Sequence, residues 1–183
     1  FATFALSLHG WLTKIMSENK NSMVSTAMNY AIPLGLFWVF KYLFVIGGEY
    51  TEISKYINSI LGIVTPVFTY MLICRYRDKE KGGNILYGEA ILFILLIFLL
   101  ASLIESVITS LHLLVINPGL VTQMNEQIYD VISKMHLPDI YSKTVLSYGG
   151  LYYIFAIVFQ NMIIGMFLAL VLGYFASRQK NNP

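Results

Sequence analysis

The stretch Gly88–Ile116 reads GEAILFILLIFLLASLIESVITSLHLLVI, and the solvent it was built for decides the fold. No charge occurs from Ile91 to Ile104. An apolar run longer than about 18 residues crosses a bilayer as a helix, since lipid offers the backbone no hydrogen-bonding partner outside the segment. Glu105 interrupts the run, with Ser102, Ser106, Thr109, Ser110 and His112 around it. A carboxylate at that depth must find a partner, take up a proton or reach water.

The rest of the chain agrees. Of its 183 residues 57% are hydrophobic and 12% charged, with a mean hydropathy of +0.66. Ordinary soluble domains are about 25% charged, so the composition is that of a multi-pass membrane protein. A net charge of +2 gives no reason to expect a nucleic-acid partner. Cys74 stands alone and cannot form an internal disulfide. His9, His112 and His136 are scattered, without metal-ligand spacing. No metal or cofactor is expected.

Working outward from the third span, three more appear. The first runs from about Val24 to Ile46, with Pro33 expected to bend it. The second runs from about Ile57 to Cys74 and contains Pro66. The last begins between Thr144 and Gly150 and ends near Phe175. Gly82-Gly83 supplies a flexible turn into the third span. Asn117-Pro118 reads as a helix start, Asn capping and Pro at the first helical position. Val121, Met124, Ile128, Val131, Ile132 and Met135 then recur at helical spacing, forming an amphipathic helix too polar to span, which Pro138 stops. The predicted fold is therefore all-α: a four-helix membrane bundle with an amphipathic helix in the outer loop between spans three and four. Residues 1–22 read as an amino-terminal interfacial or linker segment, with Ser17–Ser22 as linker. Residues 23–178 form the four-span domain, and 179–183 a cytoplasmic tail.

Cation placement sets the orientation. The amino terminus, the loop after span two and the tail hold Lys14, Lys20, Arg75, Arg77, Lys79, Lys81, Arg178 and Lys180. The opposite side holds Lys55, Lys134 and Lys143. The positive-inside rule puts both termini in the cytoplasm, which requires an even number of spans. Four satisfies it.

Glu105 is the sharpest candidate for a site. Lys41 arrives at a similar depth from the first span, so an ion pair between spans one and three is expected. A snorkelled or water-exposed carboxylate and a proton or substrate site are the rival readings. Ser102, Glu105, Thr109 and His112 share one helical face, a polar seam whose hydroxyls commonly bond their own backbone. Gln160 and Asn161 lie in the middle of the last span, where an amide must bridge to another helix. Ala27, Ala31 and Gly35, and Gly165, Ala169 and Gly173, form two small-residue strips at four-residue spacing. They predict that the first and last spans pack antiparallel through these strips. Nucleophile–base motifs and phosphate-cradling glycine loops are absent from the sequence.

The combination YRDKEKGGNILYGEA (Tyr76–Ala90) with INPGLVTQMNEQ (Ile116–Gln127) resembles a family of bacterial domain-of-unknown-function proteins. Arg77, Asp78, Gly82, Gly83, Gly88 and Asn117-Pro118 match its pattern, and the resemblance extends from Val24 to Arg178. It implies a small four-span inner-membrane protein and contributes no catalytic residues. Through relatives encoded near membrane-associated glycosyltransferases, it also implies a setting in lipid-linked glycan or envelope chemistry. The expected function is a non-enzymatic membrane subunit or scaffold. Its partners would be membrane lipids and a larger membrane protein, or a second copy through self-association. The alternative is a small oligomeric transporter or lipid-translocating protein that uses Glu105 as a proton-linked group.

Overall fold

The computed structural model describes residues 2–135 and 143–178, with side chains from Met23 onward. Among these residues the chain forms five long helices and no strand: α1 (Ala2–Gly47), α2 (Glu52–Glu80), α3 (Tyr87–Leu111), α4 (Gly119–Lys134) and α5 (Gly150–Arg178). Four segments, Met23–Gly47, Glu52–Glu80, Tyr87–Ile116 and Gly150–Arg178, are long and apolar enough to cross a membrane. The fold is the all-α bundle of a multi-pass membrane protein. α1 runs unbroken through Ser17–Ser22, where a linker was expected; that stretch contains neither Gly nor Pro to end a helix. Phe1, Pro138 and the tail 179–183 lie outside the described residues, as do the side chains of the amino-terminal segment 1–22.

The most apolar span, α3, is the axis of the bundle. α1 packs along one flank of it and α5 along the other, while α2 leans mainly on α1. On α1 the buried residues Ala27, Tyr30, Ala31, Leu34, Trp38 and Tyr42 recur every three or four positions, which lays them on one face. On α5 the inward face is Gly165, Ala169, Gly173 and Ala176. These small residues meet large ones on α3. A Cβ on Gly35 would stand 2.8 Å from Ile104, and one on Gly165 would stand 2.6 Å from Phe98.

The expected pairing of the first and last spans is thereby corrected. The two strips face α3 from opposite sides, and α1 and α5 form no packed pair. The reason is volume. Two small strips set against each other leave both helices without bulky apolar contact, whereas Phe93, Ile94, Ile97 and Phe98 of α3 fill the hollows on either side.

At the end of the bundle where α2 meets α3, Gly82 and Gly83 adopt positive φ angles of 62° and 88°. The amides of Lys81 and Gly83 both donate to the Arg77 carbonyl, closing α2 in a left-handed cap open to glycine at little cost. This turn is specified rather than merely flexible. Tyr76 stacks on Phe93 with ring centroids 3.6 Å apart, and Lys81 pairs with Glu89. That carboxylate holds the Lys81 ammonium above its ordinary range. Arg77 donates from Nε to Asp78 at 2.7 Å and from its terminal nitrogen to the Ala176 carbonyl at 3.1 Å, so a buried guanidinium fastens α2 to α5.

At the opposite end α3 finishes in a π-helical turn, His112–Ile116, with the Asn117 amide donating to the His112 carbonyl at 2.8 Å. α4 follows as expected, its Leu120, Val121, Met124 and Ile128 packing on Leu113, Tyr153 and Ile154. Asn125 pins it: Tyr153 donates to its carbonyl oxygen at 2.5 Å, and its amide donates to the Tyr148 carbonyl at 2.9 Å. Asn117 does not cap α4. Its side chain turns away to donate to Glu49 Oε2 at 2.9 Å, drawing the loop onto the end of α1.

Candidate functional site

Within the bundle, polar groups lie along one line of α3. Ser102 is buried and donates to the Leu99 carbonyl at 2.8 Å; Thr109 is buried and donates to the Glu105 carbonyl at 3.2 Å. Both hydroxyls are satisfied within their own helix. Ser102 stays within its own helix, while Thr109 also lies beside the Tyr42 hydroxyl of α1.

Glu105 behaves differently. It is 4% exposed, and its Oε2 accepts a 2.7 Å hydrogen bond from Asn161 Nδ2 across the α3–α5 interface. The expected Lys41 ion pair is corrected on this point. Lys41 is near enough for its charge to act on Glu105 through space, but the two make no ion pair within 4.0 Å. Its ammonium sits instead 5.9 Å from the centre of the Trp38 ring. The preference is physical: the indole face attracts the cation at short range, while the carboxylate takes the Asn161 amide. Of the two mid-span amides, Asn161 turns in and Gln160 turns out, exposed and without a hydrogen bond among the described residues.

Toward the Gly47 end of α1 the line continues through His112, which has no solvent exposure. Its Nδ1 lies 3.1 Å from the Tyr42 hydroxyl. Its Nε2 lies 2.9 Å from Glu49 Oε1, off the line of an ideal hydrogen bond. Glu49 is partly exposed and also receives Asn117. A carboxylate at the rim, a buried imidazole and a phenol are thus in sequence contact, the tyrosine lying near Thr109 and Glu105. Such groups can hold and exchange a proton, since imidazole accepts at one nitrogen while donating at the other.

The sequence placed His112 on the polar face but did not mark Glu49 or Tyr42 as its partners. Glu49 reads as an ordinary loop acid, and its contact with His112 depends on how the turn after α1 lies against the end of α3. Arg77 was likewise read as a topology-setting charge. Its burial against a helix end could not be seen from a stretch so rich in cations. Among the described residues, no group of three His, Cys, Asp or Glu is arranged to hold a metal ion.

These features define the class: a four-span, all-α membrane bundle with a buried polar line. Residues 29–178 match the family described as "Protein of unknown function (DUF4199)", and the chain belongs to that family. No curated protein and no solved structure matches the chain.

Proposed function

We propose that this chain is a non-enzymatic subunit of the bacterial inner membrane, both termini cytoplasmic, that packs against a larger membrane or membrane-associated protein. Gln160 carries the reading. It sits near the middle of α5, exposed, flanked by the exposed Phe159 and Ile163, and it makes no hydrogen bond among the described residues. An amide facing hydrocarbon without a partner is costly, and a neighbouring transmembrane helix offering a donor and an acceptor removes that cost. The cation distribution supports the orientation, and the glycan or envelope setting is the one the sequence resemblance implies. The test is a photo-crosslinking residue at position 160 in intact cells. A discrete adduct heavier than two copies of the chain supports a larger partner. An adduct of twice the chain's mass would turn the reading to self-association, and lipid adducts alone would overturn it.

A second reading has its own observation. Glu105, Tyr42 and His112 inside the span and Glu49 at its rim form a nearly continuous set of proton-holding groups, as a small proton-linked transporter requires. Glu105→Gln keeps an acceptor for Asn161 while removing the titratable group. Loss of proton-coupled flux in a folded Glu105→Gln protein would favour transport over scaffolding.

A further inference from the structure

Between α2 and the α1–α3–α5 trio lies a cavity of about 200 Å³. A water molecule's share of liquid volume is about 30 Å³, so the space admits roughly six non-hydrogen atoms. Its polar lining consists of Lys41, Trp38, Thr65 and Asn161; Gly62 and Leu168 are among the apolar residues that complete it.

The lining is rich in donors and short of acceptors. Trp38 is 2% exposed, and its indole N–H is buried with no acceptor among the described residues. Among the described residues, the Lys41 ammonium has no carboxylate within 4.0 Å. Thr65 makes only a 3.5 Å contact with the Leu61 carbonyl, which leaves its hydroxyl free to turn. The nearest acid, Glu105, does not line the cavity and is held by Asn161 from α5. An orphaned buried donor is rare in folded proteins, and a cation inside a membrane span needs an acceptor close by.

The geometry points to a binding site for the acid group of an anionic amphiphile, whose apolar chain leaves between α2 and α5. The head is a carboxylate or phosphate monoanion, which takes the Lys41 ammonium beside the ring of Trp38. The chain's route is marked by Gly62, beside which a Cβ would meet nothing within 4 Å. α2, the wall on that side, makes little contact with α3 and α5, so the gap opens toward lipid. A soluble polar anion fits less well, because Leu168 and Ile164 border the same space.

The experiment uses the full chain in neutral detergent with Trp11→Phe, so that Trp38 is the sole tryptophan. Dibrominated stearic acid is titrated in, and its bromines quench an indole that they touch. Saturable quenching is expected, with the methyl ester of the same acid giving only the unsaturable loss due to partition into micelles. Lys41→Met should weaken the apparent affinity about tenfold or more, the loss of one charge-assisted hydrogen bond. Gly62→Leu should weaken it comparably by filling the space while favouring the helix, and its unchanged thermal midpoint separates blockage from misfolding. Brominated phosphatidic acid in place of the fatty acid tells which source supplies the head. Equal quenching by acid and ester, or affinity untouched in a folded Gly62→Leu protein, would overturn the proposal.

Discussion

A single hydrogen bond, Asn161 to Glu105, joins α5 to the buried carboxylate of α3. Asn161→Leu leaves that carboxylate buried without its donor and should destabilise the protein by about 1–3 kcal/mol, read as a lower thermal midpoint in detergent. Glu105→Gln retains an acceptor of the same shape, so its effect on the midpoint should be much smaller; a loss equal to that of Asn161→Leu would deny the bond its role. His112 presents the same logic at the rim. Tyr42→Phe removes one partner of its ring and should cost about 1 kcal/mol, whereas His112→Leu also strands Glu49 beside Asn117 and should cost more. These contacts show where sequence reading stops. The residue types around Glu105 and their shared helical face were legible from periodicity. The choice of Asn161 over Lys41 was not, because it depends on how far α5 approaches α3 and on the pull of the Trp38 ring.

At the scale of helices, the small-residue strips act by letting bulky side chains of α3 enter. Gly165→Leu must displace the Phe98 ring and should lower stability by about 1–3 kcal/mol. The pairing itself can be trapped chemically. A Cβ at position 173 would lie 3.5 Å from that of Ala90, the spacing of a disulfide. With Cys74 replaced by serine, the Ala90→Cys/Gly173→Cys pair should therefore oxidise readily. The Ala31→Cys/Ala169→Cys pair, on opposite flanks of α3, should not; gel mobility with and without reductant distinguishes them. The spans and α4 were readable because apolar length and periodicity are local properties of the chain. Which strip meets which helix is not local, and four spans of similar length allow several arrangements with the same pattern. The left-handed cap at Gly82-Gly83 falls between: glycine announced a turn, but the twin hydrogen bonds to the Arg77 carbonyl belong to its geometry.

The whole molecule is held unevenly. α3 packs tightly against both α1 and α5, while α2 leans on α1 and is tied to the other two by Tyr76 on Phe93 and by Arg77 on the last turns of α5. Arg77→Met should loosen that end and raise the rate of cysteine labelling at Cys74 by severalfold in the folded protein, an opening that exchange kinetics would register.

The central position of α3 also bears on how the chain is made. Polypeptide is delivered to the membrane amino end first. α3 therefore enters with α1 beside it and one flank bare, and the amide that answers Glu105 is translated some fifty residues later. Until that final segment arrives, a half-assembled intermediate carries an unanswered acid in lipid, a mark that membrane proteases could read. A chain stopped after Gly149 should accordingly be cleared far faster in a pulse-chase than the complete one, and Glu105→Leu should prolong its life.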